Sequence, residues 1–243
     1  MGLIIGVAIA ALPSPPTGLS YSMGAVLPGV SALSSPLGFG ASQPAVQPTA
    51  RASASLEGLF EGGADSLVAR SVGHAEGTRS ADGQRTAAYY GHVDPGNAVW
   101  NLGSFSYQHG AASPEEADEK QLQRLKEQAR QLRQQAADLN LSLSLEEELN
   151  GIDLANQAPL AALGENGYIP RLAEARQRQL RGADAIVWAR TWAYVDPQTR
   201  ELNAPGLGNR LWRVRADQDR RRRAISTALQ MAGGEARLAA VVR

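Results

Sequence analysis

The residues best suited to chemistry fall in one stretch, Leu67 to Gly110, which reads LVARSVGHAEGTRSADGQRTAAYYGHVDPGNAVWNLGSFSYQHG. It holds all three histidines (His74, His92, His109) together with Glu76, Asp82 and Asp94. The chain has no cysteine, so disulfides, thiolate metal sites and Cys nucleophiles are excluded. Carboxyl and imidazole groups remain. Two carboxyl groups facing across a glycosidic bond can cleave it, one protonating the leaving oxygen and the other activating water or attacking carbon. Glu76 is the candidate acid, and Asp94 and Asp82 compete for the second place. Spacing along the chain does not choose between them, because the separation in space matters: about 5 Å implies retention and about 6.5–9.5 Å inversion. A metal hydrolase would need His74-x-Glu76 and His92-x-Asp94 on extended chain, with His109 as a third nitrogen. Yet His74 and Glu76 fall where a helix is expected, and i, i+2 residues do not share a helix face. No metal and no other cofactor is expected.

Aromatic residues gather in the same stretch: Tyr89, Tyr90, Trp100, Phe105 and Tyr107 are five of the chain's thirteen. Aromatic rings can stack on sugar faces, and neighbouring amides can bond hydroxyl or N-acetyl groups. The candidate substrate-binding set is Tyr89, Tyr90, His92, Asn97, Trp100, Asn101, Tyr107 and Gln108. A small ribbon also needs aromatics simply to pack on helices, and composition does not separate the two uses.

These residues need elements to position them. Leu67, Val68 and Val72 share a face of a helix expected over about 64–75, and Gly77 is a natural stop because glycine tolerates the left-handed conformation. Glu76 then ends the helix, where the macrodipole disfavours a carboxylate. That place is poor for stability and useful for an acid that must hold a proton. From Thr78 the helical period disappears, glycines punctuate the chain, and Asp94-Pro95-Gly96-Asn97 is a strong turn signal. Short strands at Thr86 to Tyr90 and Val99 to Tyr107 are expected to flank that turn, giving a small β-ribbon at about 78–112.

Helices are expected to follow. Ser113-Pro114-Glu115-Glu116 opens one, with Leu122, Leu125, Ala129, Leu132, Ala136 and Leu139 as a core-facing stripe or, less favoured, a coiled-coil seam. Ser144 and Glu147 repeat the capping box, with Leu145, Leu149 and Ile152 facing inward. A long helix is expected from Pro170 to about Tyr194, with Leu172, Leu180, Ala183, Ile186, Val187 and Ala193 as its core. A last one is expected from about Leu211 to Met231, stopped by Gly233-Gly234. The fold class is mainly α with a small β-ribbon. Arg210 to Arg223 contains seven arginines, and Arg220 to Arg223 spread around the helix, which points to a solvated or internally paired face. The formal net charge of zero argues against a general nucleic-acid binder, so no nucleic-acid partner is expected.

Gly2 to Leu12 is an apolar run too short to span a bilayer and of signal-peptide length, without the usual basic residues before it. Residues 1–22 read as a possible signal peptide or hydrophobic leader, and 23–56 as a Pro/Ser/Ala-rich linker expected to be disordered. Residues 57–243 form the helical domain. Secretion or a cell-envelope location follows from the leader reading, with membrane contact only through an uncleaved leader. A cytoplasmic protein is the alternative.

An apolar helix ending in Ala75-Glu76-Gly77-Thr78-Arg79, then a glycine- and tyrosine-rich ribbon with Tyr89-Tyr90-Gly91-His92, then helices, resembles the lysozyme-like superfamily. Its phage-type lysozymes carry a comparable Tyr- and Gly-rich stretch ending in His. The resemblance covers about 45 residues. It implies a glycan-cleaving enzyme acting on peptidoglycan or a related amino-sugar polymer, with Glu76 as general acid and the ribbon across the substrate cleft. Asp82 and Thr86 follow Glu76 at closer spacing than the Asp and Thr of the phage-type pattern, and the Gly-Leu-Met-Gln segment of the transglycosylase branch is missing. The expected partner is the polysaccharide itself, and the chain is expected to be a monomer. A non-catalytic binding or structural module of a cell-surface or phage-like assembly is the reading from another class.

Overall fold

In a computed structural model of the chain, residues 55–94 and 98–241 are described, with side chains through residue 235. The expected leader, all but the last two residues of the expected linker, and the turn residue Asn97 lie outside the described residues. What is described is mainly helical, with one two-stranded sheet.

A short helix that the apolar spacing does not announce, α1 (Leu56–Phe60), comes first and is capped by the Ser55 hydroxyl. Helix α2 (Leu67–Glu76) begins later than residue 64, because Gly62 and Gly63 both take positive φ and turn the chain beforehand. The Ser66 hydroxyl accepts from Ala69 N at 3.2 Å, and Gly77 ends the helix at φ 82°, as its sequence position predicts. Val68, Ala69, Val72 and Ala75 form its buried face.

The ribbon is shorter than the alternating residues imply. Ala87–Tyr90 is a 3-10 turn rather than a strand, and the paired strands are β1 (His92–Val93) and β2 (Trp100–Asn101), antiparallel with His92 opposite Asn101. Beyond β2 the chain makes only an isolated bridge, Leu102 with Tyr107, and Arg79 bridges Arg85 before the turn. The expected strand from Val99 to Tyr107 is broken by two residues of positive φ, Gly103 and Ser106.

Helix α3 (Pro114–Asp138) buries Leu125, Ala129, Leu132 and Ala136 against α1, α4 (Leu145–Gln157) and α6 (Tyr168–Gln177). The stripe is thus used within the chain, while its last member, Leu139, is exposed. Helix α4 starts at a closed capping box: Ser144 Oγ accepts from Glu147 N at 3.3 Å, and Ser144 N donates to Glu147 Oε2 at 2.7 Å. A short α5 (Pro159–Leu163) leads into α6.

The single helix expected from Pro170 to Tyr194 is two helices, α6 and α7 (Gly182–Trp192). Positive φ at Gln179 and Gly182 breaks the run, and Ala183 beside the break is exposed rather than core. Pro170 falls within the first turn of α6, where its missing N–H is harmless. The last helix, α8 (Leu211–Val241), runs through Gly233-Gly234 instead of stopping there. A glycine inside a helix costs about 1 kcal/mol against alanine, and Glu235 just beyond is tied to Arg70 on α2 at 2.9 Å. Helix α8 packs on α2, α4 and α7, so these four surround one core that includes Val72, Leu149, Ile152, Ala189 and Ile225. Among the described residues no helix is long and apolar enough to cross a membrane.

Candidate active site

Glu76 ends α2 with its side chain 15% exposed. Its Oε1 accepts two hydrogen bonds, from Arg221 Nη2 on α8 at 2.6 Å and from Asn156 Nδ2 on α4 at 2.8 Å. Its Oε2 takes none among the described residues. Neither Arg79 nor Arg85, its nearest arginines along the chain on that side, pairs with Glu76. Arg79 is buried beneath the ribbon, where it donates to Ser104 Oγ, Gly83 O and Ala64 O, each at 2.7 Å. Arg85 lies over the Tyr89 ring, 4.6 Å from its centroid.

Behind Glu76 stands a chain of buried charges. Arg221 donates through Nε and Nη2 to both oxygens of Asp153, at 2.9 and 2.7 Å. Arg190 on α7 donates to Asp153 Oδ2 at 2.6 Å, to Asn150 O at 2.7 Å and to Gln218 Oε1 at 2.8 Å. Asp153 and Arg190 are fully buried. The alternation of carboxylate and guanidinium, Glu76–Arg221–Asp153–Arg190, leaves no net charge in the interior. Burial alone would push the Asp153 carboxyl up, but Arg221 and Arg190 outweigh it and hold the group below its ordinary range. Burial likewise opposes the charge on Arg221, and Asp153 and Glu76 override it, holding the guanidinium charged well beyond its ordinary range. Arg220 donates to Ala75 O at 2.9 Å, placing a second cation on the carbonyl end of α2.

The ribbon is fastened to that same helix end. Thr78 Oγ1 donates to Gly73 O at 3.1 Å and to Ser104 O at 2.5 Å, and Thr86 Oγ1 donates to Gly77 O at 2.8 Å. His74 Nδ1 donates to Arg79 O at 3.1 Å. Gly73 has to be glycine for this seat, since a Cβ there would stand 2.8 Å from Arg79 Cδ. On the far side Asp118 of α3 accepts from Ser104 N at 2.6 Å and from Ser104 Oγ at 2.8 Å. Burial pushes the Asp118 carboxyl up, against the pull of Ser104 and Arg79.

The remaining predicted residues separate into groups. Asp82 is taken up by its own turn, accepting from Ser80 Oγ and, at 3.4 Å, from Gln84 N. It lines an open cleft of about 440 Å³ with Asp65, Arg70, Gln84, Arg85 and Tyr90; this cleft does not border Glu76. Asp94 follows β1 at the start of the turn and is half-buried. Tyr89 and Asn101, predicted to meet substrate, are buried. Tyr89 donates to Glu115 Oε1 at 3.3 Å, and burial pushes its hydroxyl far above the ordinary tyrosine range. Its place under Arg79 and Arg85 makes it part of the ribbon's core. Tyr90 and Trp100 are exposed, and Gln108 lies at the surface. Tyr107 is half-buried, with its ring edge-on to His109. His92 donates from Nδ1 to Ala88 O at 2.9 Å. Asn97 lies outside the described residues. Among the described residues no group of three or more His, Asp or Glu side chains is gathered to hold a metal ion.

Arg221, Asn156, Asp153 and Arg190 are the residues that sequence reasoning missed. In comparisons with known proteins, the chain matches no family model, no curated protein and no solved structure.

Proposed function

We propose that the chain is a glycan-cleaving enzyme of lysozyme-like fold, acting on peptidoglycan or a related amino-sugar polymer, with Glu76 as its general acid. One observation carries the reading: Glu76 is anchored through Oε1 alone, by the buried Arg221 and the half-buried Asn156, and Oε2 accepts no hydrogen bond among the described residues. A buried ion chain contributes little stability over a well-packed apolar core. One that ends on a partly exposed carboxyl at a helix terminus has the character of a site. In the protonated form of Glu76 that starts the reaction, Oε2 delivers its proton to the glycosidic oxygen, the C1–O bond breaks, and its electron pair goes to that oxygen. The charge left on Glu76 is met by Arg221 and Asn156, already in place, so no reorganisation is needed at that moment. Water, or a hydroxyl of the sugar itself, then attacks C1 and returns its proton to Glu76. Asp94, at the start of the turn after β1, is preferred to Asp82 as a second carboxylate, because the cleft that Asp82 lines does not border Glu76. Such a polymer lies outside the cytoplasm, so this reading goes with export.

The test is Glu76→Gln with turbidity clearing of cell walls. The glutamine carbonyl oxygen still accepts from Arg221 and Asn156, which preserves the geometry, while the loss of one charge from the buried chain is expected to lower stability, so the folded state of the variant is checked by circular dichroism. Clearing is expected to fall by about 10²–10⁴-fold. Unchanged clearing by the folded variant refutes the mechanism. The reading as a non-catalytic wall-binding module is favoured by the exposed Tyr90, Val93 and Trp100 on a ribbon whose neighbouring cleft does not border Glu76. Wall binding by the unaltered protein with no cleavage of any glycan would support it.

A further inference from the structure

Asn156 has a geometry that its surroundings fix in one direction. Its Nδ2 donates twice, to Glu76 Oε1 at 2.8 Å and to the backbone oxygen of Phe105 at 3.2 Å, while its Oδ1 accepts from Gln121 Nε2 at 2.8 Å. Rotating the Asn156 amide by half a turn would face its oxygen to two acceptors. Rotating Gln121 would set oxygen against oxygen. The whole chain therefore runs one way, Gln121 to Asn156 to Glu76. Its consequence is visible at the other end: Gln121 Oε1 is buried without a hydrogen-bond partner. An orphaned buried acceptor is disfavoured, so the orientation is held against a local penalty. Phe105 adds a second link, because it is buried at the end of the ribbon, one residue after the Ser104 that Asp118 and Thr78 hold.

We infer that Asn156 is the positioning residue of the site: its one amide nitrogen ties the Glu76 carboxyl to the seat of the ribbon, and Gln121 sets the direction of that amide. The inference rests on Glu76 being the reacting carboxyl. Oε1 is pinned from α8 by Arg221 and from α4 by Asn156, and only both together fix the plane of the carboxyl and so the direction of Oε2. A ribbon displaced at Phe105 draws on the same donor, so substrate pressing on the ribbon is felt at Glu76.

Two measurements test this. The first is independent of turnover: crystal structures of Asn156→Ala and of Asn156→Gln. In the alanine variant the Glu76 carboxyl is expected to rotate about its remaining bond to Arg221, and in the glutamine variant to stay near its place through the retained amide donor. A Glu76 side chain that stays put in Asn156→Ala overturns the proposal. The second is steady-state cleavage of a soluble wall fragment. Asn156→Ala is expected to lower kcat by about 10–100-fold with KM nearly unchanged, Asn156→Gln to recover part of it, and Gln121→Ala to lower kcat less. A fall in kcat/KM carried by KM alone, or no recovery in the glutamine variant, also overturns it. If the unaltered protein cleaves no glycan yet Glu76 rotates in the alanine variant, the positioning role stands and the glycan reading fails.

Discussion

Replacing Arg221 by methionine removes a guanidinium whose side chain is only 4% exposed and keeps most of its volume. Three charge-assisted bonds go with it: two to Asp153, at 2.9 and 2.7 Å, and one to Glu76 at 2.6 Å. The buried chain Glu76–Arg221–Asp153–Arg190 passes from no net charge to one uncompensated negative charge. Breaking a buried ion pair by removing one partner costs about 3–5 kcal/mol, because the other charge is left in the interior. Two contacts soften the loss, since Asp153 keeps Arg190 at 2.6 Å and Glu76 keeps Asn156 at 2.8 Å. The expected loss is therefore at the lower end, about 3–4 kcal/mol, or roughly 6–16 °C in Tm for a body of this size. Urea titration at neutral pH measures it, with the slope checked for constancy between the two proteins. Adding Asp153→Asn to the methionine variant removes the surplus negative charge but strips the fully buried Arg190 of the carboxylate it pairs with, so no recovery of stability is expected. A loss under about 1 kcal/mol for Arg221→Met would refute the reasoning, since that is what an exposed pair contributes.

Two buried aspartates give opposite pH responses. Asp153 is held below its ordinary value of 3.8 in the folded protein, where Arg221 and Arg190 outweigh burial. Its contribution is therefore complete above the unfolded value and is lost as pH falls through the depressed folded one. Asp118 is raised above 3.8, with burial the largest cause. Ionising it costs more in the folded state, so its contribution is unfavourable at neutral pH and is relieved as pH falls toward the unfolded value. Asp153→Asn is accordingly expected to destabilise strongly at neutral pH and little in acid, and Asp118→Asn to be close to neutral or mildly stabilising. Urea midpoints from about pH 8 down to about pH 2 decide it, and equal losses for the two would count against this assignment. At the ribbon, a Cβ on Gly91 would meet Trp100 Cζ2 at 2.1 Å, with φ already at 139°. Gly91→Ala is expected to cost about 1–3 kcal/mol. Part of that should return when Trp100→Ala is added, and strict additivity of the two would show that the indole does not rest on this glycine.

The sequence was legible where local chemistry decides the outcome. Ser113, Ser144 and Gly77 mark helix ends by their own side chains or by the lack of one, and all three do so in the structure. Glu76 at the last position of α2 follows from the same signals. Legibility failed where position in space decides. The tyrosine pair Tyr89-Tyr90 lies on a 3-10 turn rather than the expected strand, with Tyr89 in the core and Tyr90 in solvent. The helix from Pro170 breaks at Gln179, which takes φ 65° although it is not glycine, and α6 packs against α7 across the break. Gly233-Gly234 is the converse case: a local stop signal overridden within a longer helix.

The charged residues behind Glu76 were hidden for a different reason, and their signal was present. Arg221 sits in a run of four arginines, and taken as a run it reads as a solvated face. Taken by helical phase it does not. Val214, Gln218, Arg221, Ile225 and Ala228 follow one another at intervals of four and three, and all five are buried. Val214 on one side of the arginine, and Ile225 and Ala228 on the other, place its stripe inward, whatever Arg220, Arg222 and Arg223 do. The same holds on α4, where Leu149, Ile152 and Asp153 are buried and Asn156 lies one turn further along that face. On α7 Arg190 lies between the buried Ile186 and Ala193. A polar side chain on an apolar stripe is expensive to bury alone, so each such residue requires a partner on a stripe facing it. Three helices with one interrupted stripe each therefore imply a shared polar centre, and here that centre ends on Glu76.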